Sequence, residues 1–279
     1  MTPADLSATV PGDVESADRT STDTQVSLQE EQYSFPYHYL PTFDGKRFSQ
    51  LQHWSSGYRY LGRLQVALDL LSRLEFQSLI DIGCGDGRFL AEVRTRWPDK
   101  ILFGIDPSDA AVALARRMNP TIPVETRDLV RVPLDGRFDV ATILDVIEHV
   151  RPEALPAFLH AVAHSLRPGG VLIVTVPHKN ETLIEKHYQH FDSAALRGLL
   201  AGDFSDPRFL PFDRRSRIVS LLWKLVGGSG RYYVVTHPWV NTFLFTFYQR
   251  RCLYAGDERD CLRIACVARK VPASGTPVT

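Results

Sequence analysis

Much that would place a chain in a class at first sight is missing from this one. Its four cysteines (Cys84, Cys252, Cys261, Cys266) form no C-x-x-C pair and no zinc-type spacing. That excludes a disulfide framework or zinc fold and reads as the reduced thiols of a cytoplasmic protein. Neither sign of charge prevails: 32 Lys+Arg balance 32 Asp+Glu, without the basic excess that dedicated nucleic-acid binders bring to phosphates. No apolar run is long enough to span a bilayer. The N-terminus "MTPADLSATVPGDVES" has neither the basic n-region nor the apolar h-region of a secretory signal. No internal repeat is visible. What is present is an ordinary globular composition, 279 residues at 44% hydrophobic and 23% charged, with ample material for a core.

Charge is less even locally. Residues 1–32 hold seven acids against Arg19 alone and few large apolar residues, the composition of a disordered or loosely attached tail. Residues 204–231 hold six bases (Arg208, Arg214, Arg215, Arg217, Lys224, Arg231) and two acids, either a solvated face or a phosphate-binding one. The stretch "YSFPYHYLPTF" (33–43) is aromatic and broken by two prolines, so it is no regular helix. It reads as a strap over the core or a lid over a ligand. In "HWSSGYRYLGRLQVALDLLSRL" (53–74), Leu61, Leu64, Leu68 and Leu71 recur at helical spacing.

From residue 77 a regular alternation begins. "QSLIDIG", "KILFGID", "VETRD", "FDVATILDV" and "GVLIVTVP" read as strands, with helices at "GRFLAEVRTRW", "SDAAVALARRM" (Ser108 as N-cap) and "PEALPAFLHAVAHSL", the last ended by an "RPGG" turn. Near-continuous apolar strands alternating with helices indicate an α/β fold, a doubly wound, mostly parallel sheet. "CLRIACVARK" (261–270) reads as the last core strand. Between 204 and 256 the rhythm fails, and helices at "RIVSLLWKLVGG" and "WVNTFLFTFYQRRCLY" around "RYYVVTHP" are expected as an insertion over the sheet. The expected division is a tail (1–32), an aromatic strap and helix (33–75), the core (76–203), a helical substrate cap (204–256), and the last strand with its tail (257–279).

"DIGCGDGRF" (81–89) follows the first of these strands and opens a helix. Gly83, Gly85 and Gly87 let the backbone turn sharply and approach a ligand. The dinucleotide fingerprint would need glycine where Arg88 stands, and no Walker lysine is present. Three acids lie at the carboxyl edge of the strands, where open α/β sheets bind ligands: Asp81 before the glycines, Asp106 ending the second strand and Asp128 ending the third. Asp106 suits the hydroxyls of a ribose or simply the cap of the next helix.

In order and spacing, "LIDIGCGDGRFL", "FGIDPS", "TRDL", "FDVATILDVIEHV" and "LRPGGVLIVTVP" resemble the class I S-adenosylmethionine-dependent methyltransferases over about residues 76–200. The resemblance implies a Rossmann-like seven-stranded sheet whose last strand is antiparallel, and S-adenosyl-L-methionine as cofactor. Asp81, Gly83, Cys84, Gly85 and Gly87 would hold its methionine end, Asp106 and Pro107 its ribose, and Asp128 with Leu129 its adenine, with Asp145 beside them. The N-P-P-Y loop of amino-methylating DNA enzymes and the Pro-Cys nucleophile of cytosine-C5 enzymes are absent. "VPHKN", "KHYQHF" and "DSAALRGLL" after the fifth strand resemble instead the small-molecule branch of ubiquinone-type O-methyltransferases.

Asp145, Glu148 and His149 of "DVIEH" leave the fourth strand under the cofactor. They are the expected catalytic residues together with His190, the imidazole of "KHYQHF" favoured as base; one of His149 and His190 would take the proton. Tyr37, His178, His187 and Tyr188 are expected around the substrate, with Tyr33, Tyr39, Tyr58 and Tyr60 as further candidates to face the sulfonium. "ETLIEKHY" reads as a short helix that brings His187 and His190 onto one face, and Asp192 or Ser193 as the cap of the next. Small-RNA 3′-end 2′-O-methyltransferases have a similar "E-x-x-E-H", which raises a minority reading in which Asp145, Glu148, His149 and His190 hold a divalent metal. The expectation is therefore methyl transfer to a hydroxyl, less readily an amine, of a small polar or phosphorylated molecule in natural-product or sugar metabolism, without a metal. Nucleic acid is disfavoured as a partner, and a homodimer through 204–256 is conceivable. The alternatives are the metal-assisted RNA enzyme and a non-catalytic cofactor-binding or scaffold protein.

Overall fold

A computed structural model describes residues 42–43, 48–49, 54–134, 138–225 and 238–271. A two-stranded ladder comes first, β1 (Thr42–Phe43) antiparallel to β2 (Phe48–Ser49). The 1–32 tail, most of the aromatic strap including Tyr33, Tyr37 and Tyr39, and "RYYVVTHP" lie outside the described residues. Helix α1 (Trp54–Leu71) buries Leu64, Leu68 and Leu71, while Leu61, expected on the same face, is exposed.

The main sheet has seven strands in the order β5-β4-β3-β6-β7-β9-β8. These are β3 (Ser78–Ile82), β4 (Ile101–Asp106), β5 (Val124–Thr126), β6 (Phe138–Leu144), β7 (Leu166–Pro177), β8 (Phe204–Arg214) and β9 (Cys261–Lys270). Only β9 runs against the rest, antiparallel to both β7 and β8. Side chains alternate across the sheet as the two-residue period of a strand requires. Leu79, Val171, Ile173 and Ala265 enter the core on one face, under α1. Ile80, Leu172, Val174, Ile264 and Cys266 enter the core on the other. With both faces covered, the strands read as unbroken apolar runs.

Helices α2 (Arg88–Arg96), α3 (Asp109–Met118), α4 (Leu155–Ser165) and α5 (Ser193–Leu200) fall where the alternation puts them. Ser108 caps α3 by accepting from the Ala111 N–H, and Asp192 caps α5 by accepting from the Ala195 N–H at 2.7 Å. Each satisfies one otherwise orphaned donor of a first turn, worth about 1 kcal/mol.

Three expectations need correction. Residues 204–214, assigned to the insertion, are the sixth core strand. Pro207, Pro211 and the left-handed Asp206 and Asp213 obscured it, and β8 tolerates them because it lies at the sheet edge, where a missing N–H breaks no ladder. The insertion thus begins near 215, with α6 (Arg217–Leu225) and α7 (Pro238–Arg251) packing Val219, Leu244 and Tyr248 into the α1-side core. The "RPGG" segment is the start of β7, bulged against β6, with Gly169 in the left-handed region. "ETLIEKHY" forms no helix.

Candidate active site

The strand order reverses between β3 and β6, and the crevice beyond their carboxyl ends is where such sheets bind ligands. The glycine loop after β3 and the turn after β6 touch there. A Cβ on Gly83 would lie 2.5 Å from Cγ2 of Val146, and one on Gly87 2.6 Å from Nδ2 of Asn119. Both glycines also have φ of 74°, which side chains resist. Their need for glycine is therefore met by packing within the protein as well as by any ligand's approach.

Around this loop Asp81 and Asp106 meet no base among the described residues. Asp81 is buried and accepts a 2.6 Å hydrogen bond from the Thr142 hydroxyl. Burial first, and then Asp106 and Asp86, push its carboxyl up to about 7, against the pull of Thr142. Asp106 accepts from the N–H groups of Gly85 and Ser108, both at 2.9 Å, so it fastens the glycine loop and starts α3 at once. Each of its oxygens keeps a second acceptor position. No basic side chain pairs with Asp81 or Asp106 among the described residues. Buried carboxyls without a counter-cation suit a ligand that brings positive charge and hydroxyl donors, which S-adenosylmethionine does. Cys84 lies buried in the loop and the Leu129 side chain is buried past β5, whereas Pro107 is exposed. Asp128 is exposed and turned to its own loop, accepting from the N–H groups of Val130 and Arg131 and pairing with the Arg131 guanidinium at 3.2 Å.

Across the crevice the chemistry inverts. Asp145 follows β6 in the left-handed region (φ 57°) and donates its N–H to the Thr175 carbonyl. Its carboxylate is gripped by Arg63 of α1 and, at 2.5 Å, by Arg263 of β9. Burial opposes ionisation, but Arg263 and then Arg63 outweigh it and hold Asp145 at about 2. Three residues on, Glu148 is 1% exposed and its Oε2 has no hydrogen-bond partner. Burial, then the negative Asp145, drive Glu148 up to about 8, so it stays protonated at neutral pH. Asp145 is thus a fixed anion spent on two arginines rather than a group free for cofactor or proton. The signal for Arg263 lay in the sequence: a charge inside the apolar strand "CLRIACVARK" has to meet a buried partner.

"DVIEH" and "KHYQHF" are zipped together. The Tyr188 N–H donates to the Glu148 carbonyl at 2.9 Å, and His149 Nδ1 lies 2.9 Å from the Lys186 carbonyl. A carbonyl only accepts, so Nδ1 carries the proton and the neutral ring leaves its lone pair on Nε2. The same logic runs through the other two imidazoles. His190 Nδ1 donates to the Glu181 carbonyl at 3.1 Å, leaving Nε2 to accept from His187 Nδ1 at 2.8 Å. The free lone pair at the end of that relay is Nε2 of His187, whose ring meets that of His149 edge-on at 4.8 Å. Burial lowers both, His187 to about 3 with help from His149 and His190.

This arrangement changes the expected roles. His190, favoured as the base, has both nitrogens engaged and stands behind His187, which was expected only in support. The metal grouping changes too. Among the described residues, ligand atoms of Glu148, His149 and His187 come within 4.8 Å of one another, whereas Asp145 and His190 are not in that group. His178, expected near substrate, is buried in a clamp: Nδ1 accepts from the Asn180 N–H and Nε2 donates to Glu258, both at 3.0 Å. Tyr188 packs its ring against Arg151. Tyr60 packs on the α1-side core, and Tyr37 lies outside the described residues.

Comparison with known proteins agrees with the fold. The sheet and its covering helices superpose on N-methyltransferase NodS from Bradyrhizobium japonicum WM9, solved with S-adenosyl-L-homocysteine, with a TM-score of 0.55 over 88% of this chain and 98% of that one. At 12% identity that likeness shows the fold alone, a Rossmann-like α/β sheet covered by helices. The Methyltransf_23 family, described as a methyltransferase domain, matches residues 52–222, and the chain belongs to it. The chain is also 35% identical over 124 residues to a ubiquinone biosynthesis O-methyltransferase of Alkalilimnicola ehrlichii, covering 42% of this chain and 49% of that protein. It is 30% identical over 118 residues to a trans-aconitate 2-methyltransferase of Methylobacterium nodulans, covering 41% and 45%. The chain spans about half the length of these curated relatives. No helix among the described residues is long and apolar enough to cross a membrane.

Proposed function

We propose that this protein transfers a methyl group from S-adenosylmethionine to a hydroxyl oxygen of a small polar acceptor. When bound, the cofactor supplies a methyl group on a positively charged sulfur. Asp81, Asp106 and the 83–87 loop would hold it, and Asp128 would reach an adenine only by giving up its contacts to its own turn. The observation that carries the reading is the pair of free imidazole lone pairs, on His149 and His187, beside a buried neutral carboxyl. A hydroxyl donates to one of these nitrogens and turns an oxygen lone pair towards the methyl group. Its proton becomes strongly acidic as the O–C bond forms, so an imidazole of low basicity suffices to take it. His190, hydrogen-bonded behind His187, supports the charge that arises there. The aligned relatives' names, ubiquinone and trans-aconitate methylation, support a small-molecule acceptor. Four buried, unpaired cysteines support a reducing, cytoplasmic setting. The exposed Ile218, Leu221, Trp239 and Phe243 support an interface between copies on the insertion.

The Glu148–His149–His187 group favours a second reading, in which a divalent ion polarises the hydroxyl. Two ligands about 2.1 Å from a tetrahedral ion stand roughly 3.4 Å apart, so the group would have to draw in, and Glu148 would have to lose its proton. One assay tests both readings: transfer of labelled methyl to matched hydroxyl and amine acceptors, with and without EDTA. Methylation of the hydroxyl member, unchanged by EDTA, is expected. Amine-only transfer would overturn the oxygen assignment, and loss of activity restored by Mn²⁺ would establish the second reading.

A further inference from the structure

The segment that carries His187 and His190 is gripped at both ends by one carboxylate from later in the chain. It leaves β7 at His178 and enters α5 at Ser193. Glu258, in the turn before β9, meets both residues. Its Oε1 accepts from His178 Nε2 at 3.0 Å and from the Ser193 N–H at 2.7 Å, and its Oε2 accepts from the Ser193 hydroxyl at 2.7 Å. The main chain of the same turn adds to the grip, because Asn180 Nδ2 donates to the carbonyls of Glu258 and Cys261, both at 2.9 Å. The two ends are also joined to each other, the Lys179 N–H donating to the Phe191 carbonyl at 3.2 Å. The segment is therefore a loop whose neck is held against the start of β9.

The ring of His178 fixes how this clamp is wired. Its Nδ1 accepts from the Asn180 N–H at 3.0 Å, so Nε2 carries the proton and needs an acceptor. His178 is 5% exposed, and a buried donor left unmet costs free energy. From the clamp a line of hydrogen bonds runs to the end of the imidazole relay. The Glu181 N–H donates to the His178 carbonyl at 2.8 Å. The Glu181 carbonyl accepts from His190 Nδ1 at 3.1 Å, and His190 Nε2 accepts from His187 Nδ1 at 2.8 Å. The lone pair on His187 Nε2 thus depends on where the turn at 178–181 holds the Glu181 carbonyl.

We propose that Glu258 is a positioning residue for methyl transfer: by holding His178 and Ser193 it sets the Glu181 carbonyl against His190, and so presents the Nε2 lone pair of His187 to the acceptor. The consequence rests on the methyltransferase reading, whereas the geometry rests on the hydrogen bonds alone. It also gives the histidine and asparagine of "VPHKN" a place in the chemistry without contact to substrate.

The test reads the rings directly, by proton–nitrogen correlation NMR of the full chain at neutral pH with no ligand added. In the wild-type protein His187 and His190 should each carry the proton on Nδ1, and His178 on Nε2. Glu258→Ala should leave His187 and His190 averaging between tautomers. It should also lower kcat by about tenfold or more, with KM and affinity for S-adenosyl-L-homocysteine within about twofold. Glu258→Gln keeps a carbonyl oxygen for His178 and the Ser193 N–H, and should restore the wild-type ring pattern and most of kcat. A merely structural clamp would lower the urea midpoint and leave both rings as they are, so unchanged tautomers in folded Glu258→Ala would overturn the proposal. A wild-type His178 with its proton on Nδ1 would overturn it too. Should Glu258→Ala fail to fold, Glu258→Asp, too short to reach His178 and Ser193 together, stands in with the same expected and the same overturning result. The ring spectra need neither cofactor nor acceptor. Absence of methyl transfer would therefore strike the methyltransferase reading, while the tautomers would still decide the role of Glu258.

Discussion

Replacing His187 by Ala is expected to lower kcat by about 10²-fold to 10³-fold, the loss typical of a removed proton acceptor. Affinity for S-adenosyl-L-homocysteine should stay within a factor of about two. The expectation follows from the tautomer chain: Glu181 carbonyl, His190 and His187 fix the lone pair on Nε2 of His187. His190→Ala removes only the support behind that ring and should cost roughly tenfold, with KM little changed. The pH profile separates this account from an ordinary exposed histidine. Because burial holds His187 at about 3, it stays unprotonated through mild acid, so the acid limb of kcat lies below about pH 5 rather than near 6.5. The linkage has the corresponding sign: the unfolded chain takes up this proton first as pH falls below about 6.5, so the histidine costs stability on the acid side. If His190→Ala proved far more damaging than His187→Ala, the order of the two imidazoles would be reversed.

The largest stability effect is expected at Asp145. Asparagine is among the few residues at ease in the left-handed region, so Asp145→Asn keeps the turn and removes only the charge. Arg63 and Arg263 then lose their shared anion. The Arg263 side chain is 8% exposed and that of Asp145 19%, whereas Arg63 keeps 26%. Breaking a buried pair costs about 3–5 kcal/mol, and the partial exposure of Arg63 sets the expectation at the low end, about 3 kcal/mol at neutral pH. Urea denaturation reads it. The penalty is fully present above about pH 4 and is lost as pH falls through about 2, where wild-type Asp145 takes up its own proton. A difference under about 0.5 kcal/mol at pH 7 would show that the arginines find other partners.

How far the sequence alone reaches can be judged residue by residue. The alternation from 77 to 177 yields the strands and helices of the core because both sheet faces are buried and nothing interrupts the apolar runs. The glycine loop, Asp81 and Asp106 stand at the crevice because local chain order alone puts the end of a strand there. Reading failed where distant segments decide the outcome. β8 was hidden by prolines that only an edge position tolerates. Arg63, on a helix over a hundred residues earlier in the chain than Glu181 and two hundred before Arg263, has no local pattern that announces its meeting with Asp145. Which histidine of "KHYQHF" presents its lone pair depends on the distant carbonyl of Glu181, and the expected helix there would have given a different order.

The central claim is that the acidic crevice between β3 and β6 holds a methyl donor, and calorimetric titration with S-adenosyl-L-homocysteine addresses it most directly. The account predicts one site per chain, with affinity falling at least about tenfold in Asp106→Ala and unchanged in His187→Ala. No binding to the wild-type protein, or binding indifferent to Asp106, would contradict it.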